Sequence, residues 1–306
     1  MSRLVAFALF FVMVPATAAL GSDLDELLSR GHEASYTAEQ IISCSTPDGV
    51  RDALVRIDQI GGELRVTSSV TDEVEVVSGA GGWTLKKDDG AVVQSNITGG
   101  ETLEDSVYTV EEEGAVEYLG RAAMAYLLIR DEEPRAELVI DDETGAVVKA
   151  VTLTIDEEVY CERRFVSLES GTPDVAEAES TGEGAPMTLV ETSELPESVA
   201  GFEMLDQYEG EDDVRFAYYS DGFFSFALFE TPTPVLLPDA TLVELDSGEY
   251  QRVFTAGQAT YVWETQDSGM ALVGDLPPDI HETVLSEMPH PEDPGLFRRW
   301  WRALFG

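Results

Sequence analysis

The amino-acid sequence predicts a mainly β protein of the α+β class, with two antiparallel β-rich domains and few helices. Short β-forming runs follow one another from Tyr36 onward and are separated by turns such as Pro47-Asp48-Gly49. The pattern stops in an acidic stretch, residues 169–188, whose composition is typical of a solvated linker. Because the pattern then resumes, we expect one domain over residues 19–168 and a smaller one over residues 189–289.

The first 18 residues have the features of a secretory signal peptide. Arg3 precedes an apolar run, Leu4–Val14, and Pro15-Ala16-Thr17-Ala18 supplies an A-x-A cleavage site. The alternative is a membrane anchor, which needs about 20 apolar residues, more than this run contains. We therefore expect cleavage near Ala18 and export to a periplasmic or other extracytoplasmic compartment.

The charge of the chain excludes one class of function. It has 60 acidic and 18 basic residues, a formal net charge of −42. Such a field repels phosphate backbones, so we expect no nucleic-acid binding. Hydrophobic residues make up 43% of the chain, which is enough to form cores, so the acidity belongs to a folded protein.

The first domain is predicted to be an antiparallel meander that follows a short helix starting at Ser22. Its early strands are predicted over Ala53–Ile57, Glu63–Ser69, Val74–Val77, Trp83–Lys87 and Ala91–Gln94. Later, the turn Asp141–Gly145 joins Arg135–Ile140 and Ala146–Ile155 as a hairpin. Tyr118–Arg130 is ambiguous, because its composition favours a helix while the surrounding meander favours a strand.

The second domain is predicted to hold six strands and one helix. The strands are Val214–Tyr219, Phe223–Phe229, Ala240–Val243, Tyr250–Thr255, Gln258–Trp263 and Met270–Val273. The helix is expected over Pro278–Met288.

Cys44 and Cys161 are the only cysteines, each within a β-rich run. An even number of cysteines in an exported chain favours a disulfide, and two thiols allow one intramolecular pairing. The alternative is two buried thiols on unrelated strands.

The sequence offers no motif for catalysis, a cofactor or a metal. The histidines, His32, His281 and His290, lack metal-ligand spacing, and we expect His281 on the surface of the late helix. Paired carboxylates such as Asp141/Asp142 occur by chance in so acidic a chain and are expected to be solvated. We therefore predict a protein that is not an enzyme and binds no cofactor or metal.

Two blocks of sequence resemble a known family of regulators. In the second domain, the Tyr219-Ser220-Asp221-Gly222 hairpin is followed by Val273-Gly274-Asp275 and a helix. In the first, Gly120-Arg121 is followed by Arg135–Asp141 and Thr144-Gly145. Their order is similar to the RseB/MucB family of sigma-factor regulators. The resemblance implies that Tyr118–Arg130 is a strand.

This resemblance implies both an architecture and a role. The first domain would be a LolA-like half-open β-barrel with an apolar ligand in its concavity. The second would help bind the exported part of a membrane-spanning anti-sigma factor and shield it from proteolysis, with a lipid-type ligand able to release it. The chain departs from the family pattern at Val139, where tryptophan is usual, and at Ala146, where leucine is usual. Its negative charge disfavours an anionic lipid, so a neutral acyl chain, or no ligand, fits better.

The candidate site residues form two groups. The candidates for partner binding lie on the second-domain hairpin and are Tyr218, Tyr219, Phe223, Phe224 and Phe226. The candidates for the ligand cavity are Trp83, Tyr118, Met124 and Tyr126. Each group has the alternative of packing in a core, since alternate residues of a strand face inward.

The tail, residues 290–306, is basic and aromatic in an otherwise acidic chain. Arg298, Arg299, Trp300, Trp301 and Arg302 are its candidate membrane contacts, and a helix would align Phe297, Trp300, Trp301 and Leu304. We favour contact with an anionic membrane or a membrane-bound partner. The alternatives are a latch on the protein's own acidic surface and packing into a core groove.

The leading functional hypothesis is an extracytoplasmic regulator that binds a membrane anti-sigma factor. The second is a carrier of lipid or lipoprotein, and the third is a structural protein of the cell envelope. Binding of an anti-sigma factor would favour the regulator, bound lipid without such a partner would favour the carrier, and the absence of both would favour the structural protein.

Overall fold

The computed structural model describes residues 22–47, 49–68, 74–79, 82–87, 92–95, 107–173, 188–189, 195–210, 213–232, 240–255, 258–265, 268–274 and 276–291. Within these ranges the chain forms two antiparallel β-sheets and two α-helices. The mainly β class predicted from the sequence is confirmed.

The first sheet follows helix α1 (Ser22–Glu33). Its eleven strands are β1 (Ser35–Thr46), β2 (Gly49–Ile60), β3 (Glu63–Ser68), β4 (Val74–Gly79), β5 (Gly82–Lys87), β6 (Val92–Ser95), β7 (Thr109–Tyr118), β8 (Arg121–Arg130), β9 (Glu133–Asp141), β10 (Val147–Leu153) and β11 (Val159–Ser170). Their order is β6-β5-β4-β3-β2-β1-β11-β10-β9-β8-β7, a meander interrupted only where β1 meets β11. Because β6 and β7 lie at opposite ends of this order, the described sheet is open, consistent with a half-open barrel.

The second sheet precedes helix α2 (Pro278–Glu287). Its strands are β12 (Thr188–Leu189), β13 (Ser198–Val199), β14 (Phe202–Glu209), β15 (Arg215–Ser220), β16 (Ser225–Thr231), β17 (Thr241–Leu245), β18 (Gly248–Thr255), β19 (Gln258–Glu264) and β20 (Gly269–Gly274). The order is β12-β14-β15-β16-β20-β19-β18-β17, with β13 beside β14. The helix buries Ile280, Val284 and Leu285, and its position agrees with the prediction.

The ambiguous segment Tyr118–Arg130 forms a strand. Leu119 and Gly120 make a tight turn with positive φ angles of 53° and 72°, and β8 then pairs with β7 on one side and β9 on the other. The helix that the composition favours is therefore wrong for this segment, because hydrogen bonding to a strand on each side stabilises an extended conformation.

The two cysteines are joined by a disulfide. Cys44 of β1 and Cys161 of β11 are direct partners in the antiparallel register, and both are buried. The bond therefore connects the two strands at which the N-terminal and C-terminal halves of the first sheet meet.

An apolar core joins the two sheets. It contains Leu128 and Leu138 from the first sheet, Phe202 and Phe226 from the second, and Leu285 from α2. A second core lies within the first sheet and includes Tyr36, Ala38, Ile57, Val66 and Phe165. In the described ranges, no helix is both long and apolar enough to cross a membrane.

Gly145 permits a close contact between α1 and the β9–β10 turn. Its φ is +70°, and a Cβ atom there would lie 2.6 Å from the Cβ of Arg30 and 2.8 Å from the backbone nitrogen of Gly31. Both the backbone conformation and the space therefore require glycine at this position.

We expect Gly145→Ala to lower the free energy of unfolding by about 2–4 kcal/mol, the sum of a left-handed alanine and an overpacked contact. The matched control is Gly120→Ala, which has φ +72° but nothing within 4 Å of the added Cβ. It should lose only about 1–2 kcal/mol. Urea denaturation measures both, and equal losses would contradict the packing part of this prediction.

Candidate functional site between the two sheets

The turn between β15 and β16 makes a close polar contact between the second sheet and the first. We call residues Ser220–Phe224 the clasp turn. The Asp221 carboxylate organises the turn because it accepts hydrogen bonds from the backbone N–H groups of Phe223, at 3.0 Å, and Phe224, at 2.8 Å. The Gly222 N–H donates to the Ser220 hydroxyl at 3.0 Å. Short side chains that bond to nearby backbone groups favour such turns, which explains the Ser-Asp-Gly sequence.

The same carboxylate binds two side chains of the first domain, Arg130 at the end of β8 and Tyr108 immediately before β7. Asp221 Oδ2 accepts a hydrogen bond from Nη1 of Arg130 at 2.6 Å and another from the Tyr108 hydroxyl at 2.7 Å. The Asp221 side chain is fully buried. Burial raises the pKa of Asp221, and the Arg130 charge and the turn N–H groups oppose that rise. Burial, followed by the Asp221 charge, also raises the pKa of Tyr108, so its hydroxyl remains a donor.

A second polar contact joins the first sheet to helix α2 of the second domain. Arg135 of β9 pairs with Asp279 in the first turn of α2 at 2.7 Å. Together with the core that joins the two sheets, these contacts hold the sheets against each other.

A cavity of about 150 Å³ lies where α1, the first sheet and the clasp turn meet. Its apolar walls include Leu28, Leu64, Leu138, Ala146 and Phe165, and Ser220, Gly222 and Phe223 of the clasp turn also line it. Some of its polar groups have partners within the protein. Gln59 donates to the His32 carbonyl at 2.7 Å, and Thr152 donates to the Cys161 carbonyl at 3.3 Å. The cavity is therefore suited to a small apolar group.

The structure divides the predicted partner-binding residues. Tyr219, Phe224 and Phe226 are buried, and Tyr219 stacks on Phe226 with ring centroids 4.8 Å apart. The structure places these three side chains in the core: Tyr219 and Phe226 lie on the central strands β15 and β16, and Phe224 lies on the turn between them. Tyr218 and Phe223 are only partly buried and stay predictions.

Three of the four predicted cavity residues, Tyr118, Met124 and Tyr126, are not among the residues that line this cavity. Tyr118 donates its hydroxyl to the Phe165 carbonyl at 3.1 Å, and Tyr126 packs against the core between the sheets. Met124 lies two residues before Tyr126 in β8 and is partly buried. Trp83 lies in β5, whose side chains fall outside the described part of the chain. Inward-facing residues of β1–β3 and β9–β11 form the walls instead.

A sequence signal for this cavity existed in β1. Tyr36, Ala38, Gln40, Ile42 and Cys44 alternate with more exposed residues and face inward. Period-2 alternation identifies such a face without any resemblance.

Two polar residues expected at the surface are buried. The Asp141 side chain accepts a hydrogen bond from Nε of Arg121 at 2.7 Å and another from the backbone N–H of Thr144 at 2.8 Å. Burial alone would raise its pKa, but these hydrogen bonds lower it to about 2. Asp141 therefore anchors a turn, and its contact with Arg121 joins the two first-domain sequence motifs.

His281 is the second corrected prediction. It is 1% exposed, and its ring lies 5.0 Å from that of Tyr261. Burial lowers its pKa to about 3, so it packs as a neutral ring.

Some predictions fall outside the described ranges. They concern the signal peptide, residues 1–18, and the tail candidates Arg298, Arg299, Trp300, Trp301 and Arg302. Among the described residues, no group of three or more His, Cys, Asp or Glu residues is placed to hold a metal ion.

No protein-family model and no curated protein sequence matches the chain. Solved structures of MucB do match it. The complex of Pseudomonas aeruginosa MucA and MucB gives a TM-score of 0.54 at 17% identity, covering 87% of this chain and 97% of that chain. The chain has the MucB fold. The structure of MucB in complex with MucA(peri) gives a TM-score of 0.54 at 18% identity, again covering 87% of this chain and 97% of that chain. The structure of MucB alone gives a TM-score of 0.53 at 17% identity, covering 86% of this chain and 95% of that chain.

The likeness to MucB extends over nearly the whole of both chains. The resemblance inferred from short sequence motifs is therefore confirmed at the level of the fold. In the structure those motifs are the Arg121–Asp141 contact of the first sheet and the clasp turn of the second.

Proposed function

We propose that this protein is a non-enzymatic, extracytoplasmic regulator that binds the exported part of a membrane anti-sigma factor and modulates its proteolysis. One observation carries the proposal. The chain shares the fold of MucB over 87% of its length, and MucB has been solved in complex with MucA. The signal-peptide features of residues 1–18 support export.

The proposed contacts with the partner are Tyr218 and Phe223 on the second-sheet hairpin. Both keep part of their surface accessible, whereas their aromatic neighbours are buried. Partly exposed aromatic residues on a rigid hairpin make effective contacts, because little side-chain entropy is lost when they bind.

A calorimetric titration with the exported domain of the candidate anti-sigma factor tests this function. We expect saturable 1:1 binding, which Tyr218→Ala should weaken by at least about tenfold if Tyr218 is a central contact. The matched control is Leu242→Ala on β17, since Leu242 is 62% exposed on the same sheet. Absence of binding by the wild-type protein would contradict the function, whereas equal effects of the two variants would contradict only the assigned contact.

The second candidate function is a carrier of lipid or lipoprotein. The apolar cavity beneath the clasp turn is the observation that favours it. Mass spectrometry of organic extracts from the purified protein distinguishes the two functions. Stoichiometric lipid together with no anti-sigma binding would favour the carrier.

We further propose that the basic tail contacts an anionic membrane and so concentrates the protein near its membrane-bound partner. A variant that ends at Pro294 should keep its fold and lose co-sedimentation with anionic vesicles. If neither protein sediments with vesicles, the tail has a different role.

A further inference from the structure

We propose that His281 makes the docking of helix α2 sensitive to acid, so that uptake of one proton by its imidazole releases α2 from the second sheet. The release also separates Asp279 from Arg135, which breaks the contact between α2 and the first sheet. Mild acid would then be a signal that the protein detects. The inference does not depend on binding of an anti-sigma factor.

Helix α2 depends on tertiary packing for its stability. It is ten residues long, and its N-cap residue, Pro277, cannot supply a side-chain hydrogen bond. A helix of this length is marginal alone in water, so burial of Ile280, Val284 and Leu285 must hold it in place. His281 belongs to the same buried set. The surroundings of one histidine can therefore decide whether the helix stays docked.

The site of His281 suits a neutral ring. The residue is 1% exposed, and its Nε2 lacks a hydrogen-bond partner among the described residues. The ring lies 5.0 Å from that of Tyr261 on β19. The charge of Arg252 on β18 also acts on the ring, and the Arg252 guanidinium in turn lies over the Tyr261 ring, 5.7 Å from its centroid. A proton on His281 would add a second cation to this cluster, away from water, which costs free energy.

The acidic neighbours of His281 do not remove this cost. Asp279 and Glu282 lie within two positions of it on α2, but Asp279 pairs with Arg135 at 2.7 Å and Glu282 is exposed. Two backbone carbonyls at the start of the helix favour the charged ring, yet burial outweighs them and lowers the pKa of His281 from its ordinary 6.5 to about 3. The stabilisation is therefore fully present above about pH 6.5 and declines as the pH falls toward about 3.

Release of α2 has consequences beyond the helix. At its start, Asp279 leaves Arg135 of β9, whose side chain is 6% exposed. Near its end, the Glu287 carboxylate accepts a hydrogen bond from the Ala200 N–H, just before β14, at 2.6 Å. The helix therefore connects the first sheet with the first strands of the second domain. Its undocking breaks these contacts together.

Hydrogen exchange of the α2 amides at about pH 7.5 and about pH 5.5 tests the proposal. After correction for the pH dependence of chemical exchange, we expect protection of the Val284 and Leu285 amides to fall about tenfold in the wild-type protein. The reason is that a released histidine with its ordinary pKa takes up a proton over this range, whereas the docked ring does not. Protection should remain higher for the amides of the central strands β15 and β16, because release of α2 precedes global unfolding.

Matched variants separate His281 from the other titrating groups. His281→Phe keeps a ring beside Tyr261 without a titrating nitrogen, so α2 protection should change by no more than about twofold between the two pH values. His290→Phe alters an exposed histidine just beyond the helix and should retain the fall of about tenfold. Arg135→Gln weakens the contact of α2 with the first sheet, so protection should be lower at both pH values while the fall persists.

Nitrogen NMR of the His281 ring gives a second readout that needs no variant. We expect a neutral ring at about pH 5.5 in the docked state. A charged ring there with α2 still protected would overturn the proposal. So would a wild-type fall no greater than that of His281→Phe, or equal protection of α2 and the central strands. Since no anti-sigma factor is added, failure of the proposed function would leave these results unaffected.

Discussion

Replacing Arg130 with methionine is expected to lower the free energy of unfolding by about 3–5 kcal/mol, because it removes the cation that faces a fully buried carboxylate. The side chain of Asp221 is 0% exposed, and that of Arg130 is 18% exposed. The two groups meet at 2.6 Å across the contact between the sheets. With Arg130→Met, Asp221 must stay charged without a cation or take up a proton, and either outcome destabilises the folded state.

The matched control for Arg130→Met is Arg215→Met. Arg215 pairs with Glu230 at 3.7 Å, and both side chains are partly exposed, so its loss should cost at most about 1 kcal/mol. Adding Asp221→Asn to Arg130→Met should recover part of the stability, because no buried charge is then left unpaired. Urea denaturation followed by circular dichroism measures each variant. A loss for Arg130→Met no greater than that for Arg215→Met would contradict the prediction.

The largest expected effect comes from the disulfide. Cys44→Ala combined with Cys161→Ala should lower the free energy of unfolding by up to about 4–5 kcal/mol. The bond links residues separated by 117 positions, and the lost stability comes from the greater freedom of the unfolded chain. The strands that it joins, β1 and β11, are far apart in the sequence, so bringing them together costs more conformational entropy than closing a short hairpin.

Reduction of the wild-type protein tests the disulfide without a mutation. Urea denaturation with a reductant should show a lower midpoint than without it, and the double alanine variant should show no response to the reductant. Non-reducing peptide mapping should recover the Cys44 and Cys161 peptides as one species. An unchanged midpoint after complete reduction would contradict the predicted contribution.

The strands and hairpins were predictable because local patterns determine them. Alternation of side chains and turns such as Asp141–Gly145 identify most strands within a few residues. Two segments of the first sheet were exceptions. The strand Thr109–Tyr118 was not predicted, and the composition of Tyr118–Arg130 favours a helix, so that only its neighbours make it a strand.

The site was predictable only in part, because distant residues assemble it. Asp221 meets Tyr108 and Arg130, which lie 113 and 91 positions away in the sequence, and no local pattern signals such a meeting. The hairpin motif drew attention to this part of the chain. Its aromatic residues could not be sorted into core and surface without knowing that β15 and β16 lie in the middle of the second sheet.

Protection of the anti-sigma ectodomain from proteolysis is the most direct test of the proposed role. The rate of cleavage of the purified ectodomain by its site-specific protease would be measured as this protein is added. We predict that cleavage slows in a saturable manner and nearly stops at a 1:1 ratio. An unchanged cleavage rate at saturating protein would contradict the role of a shielding regulator.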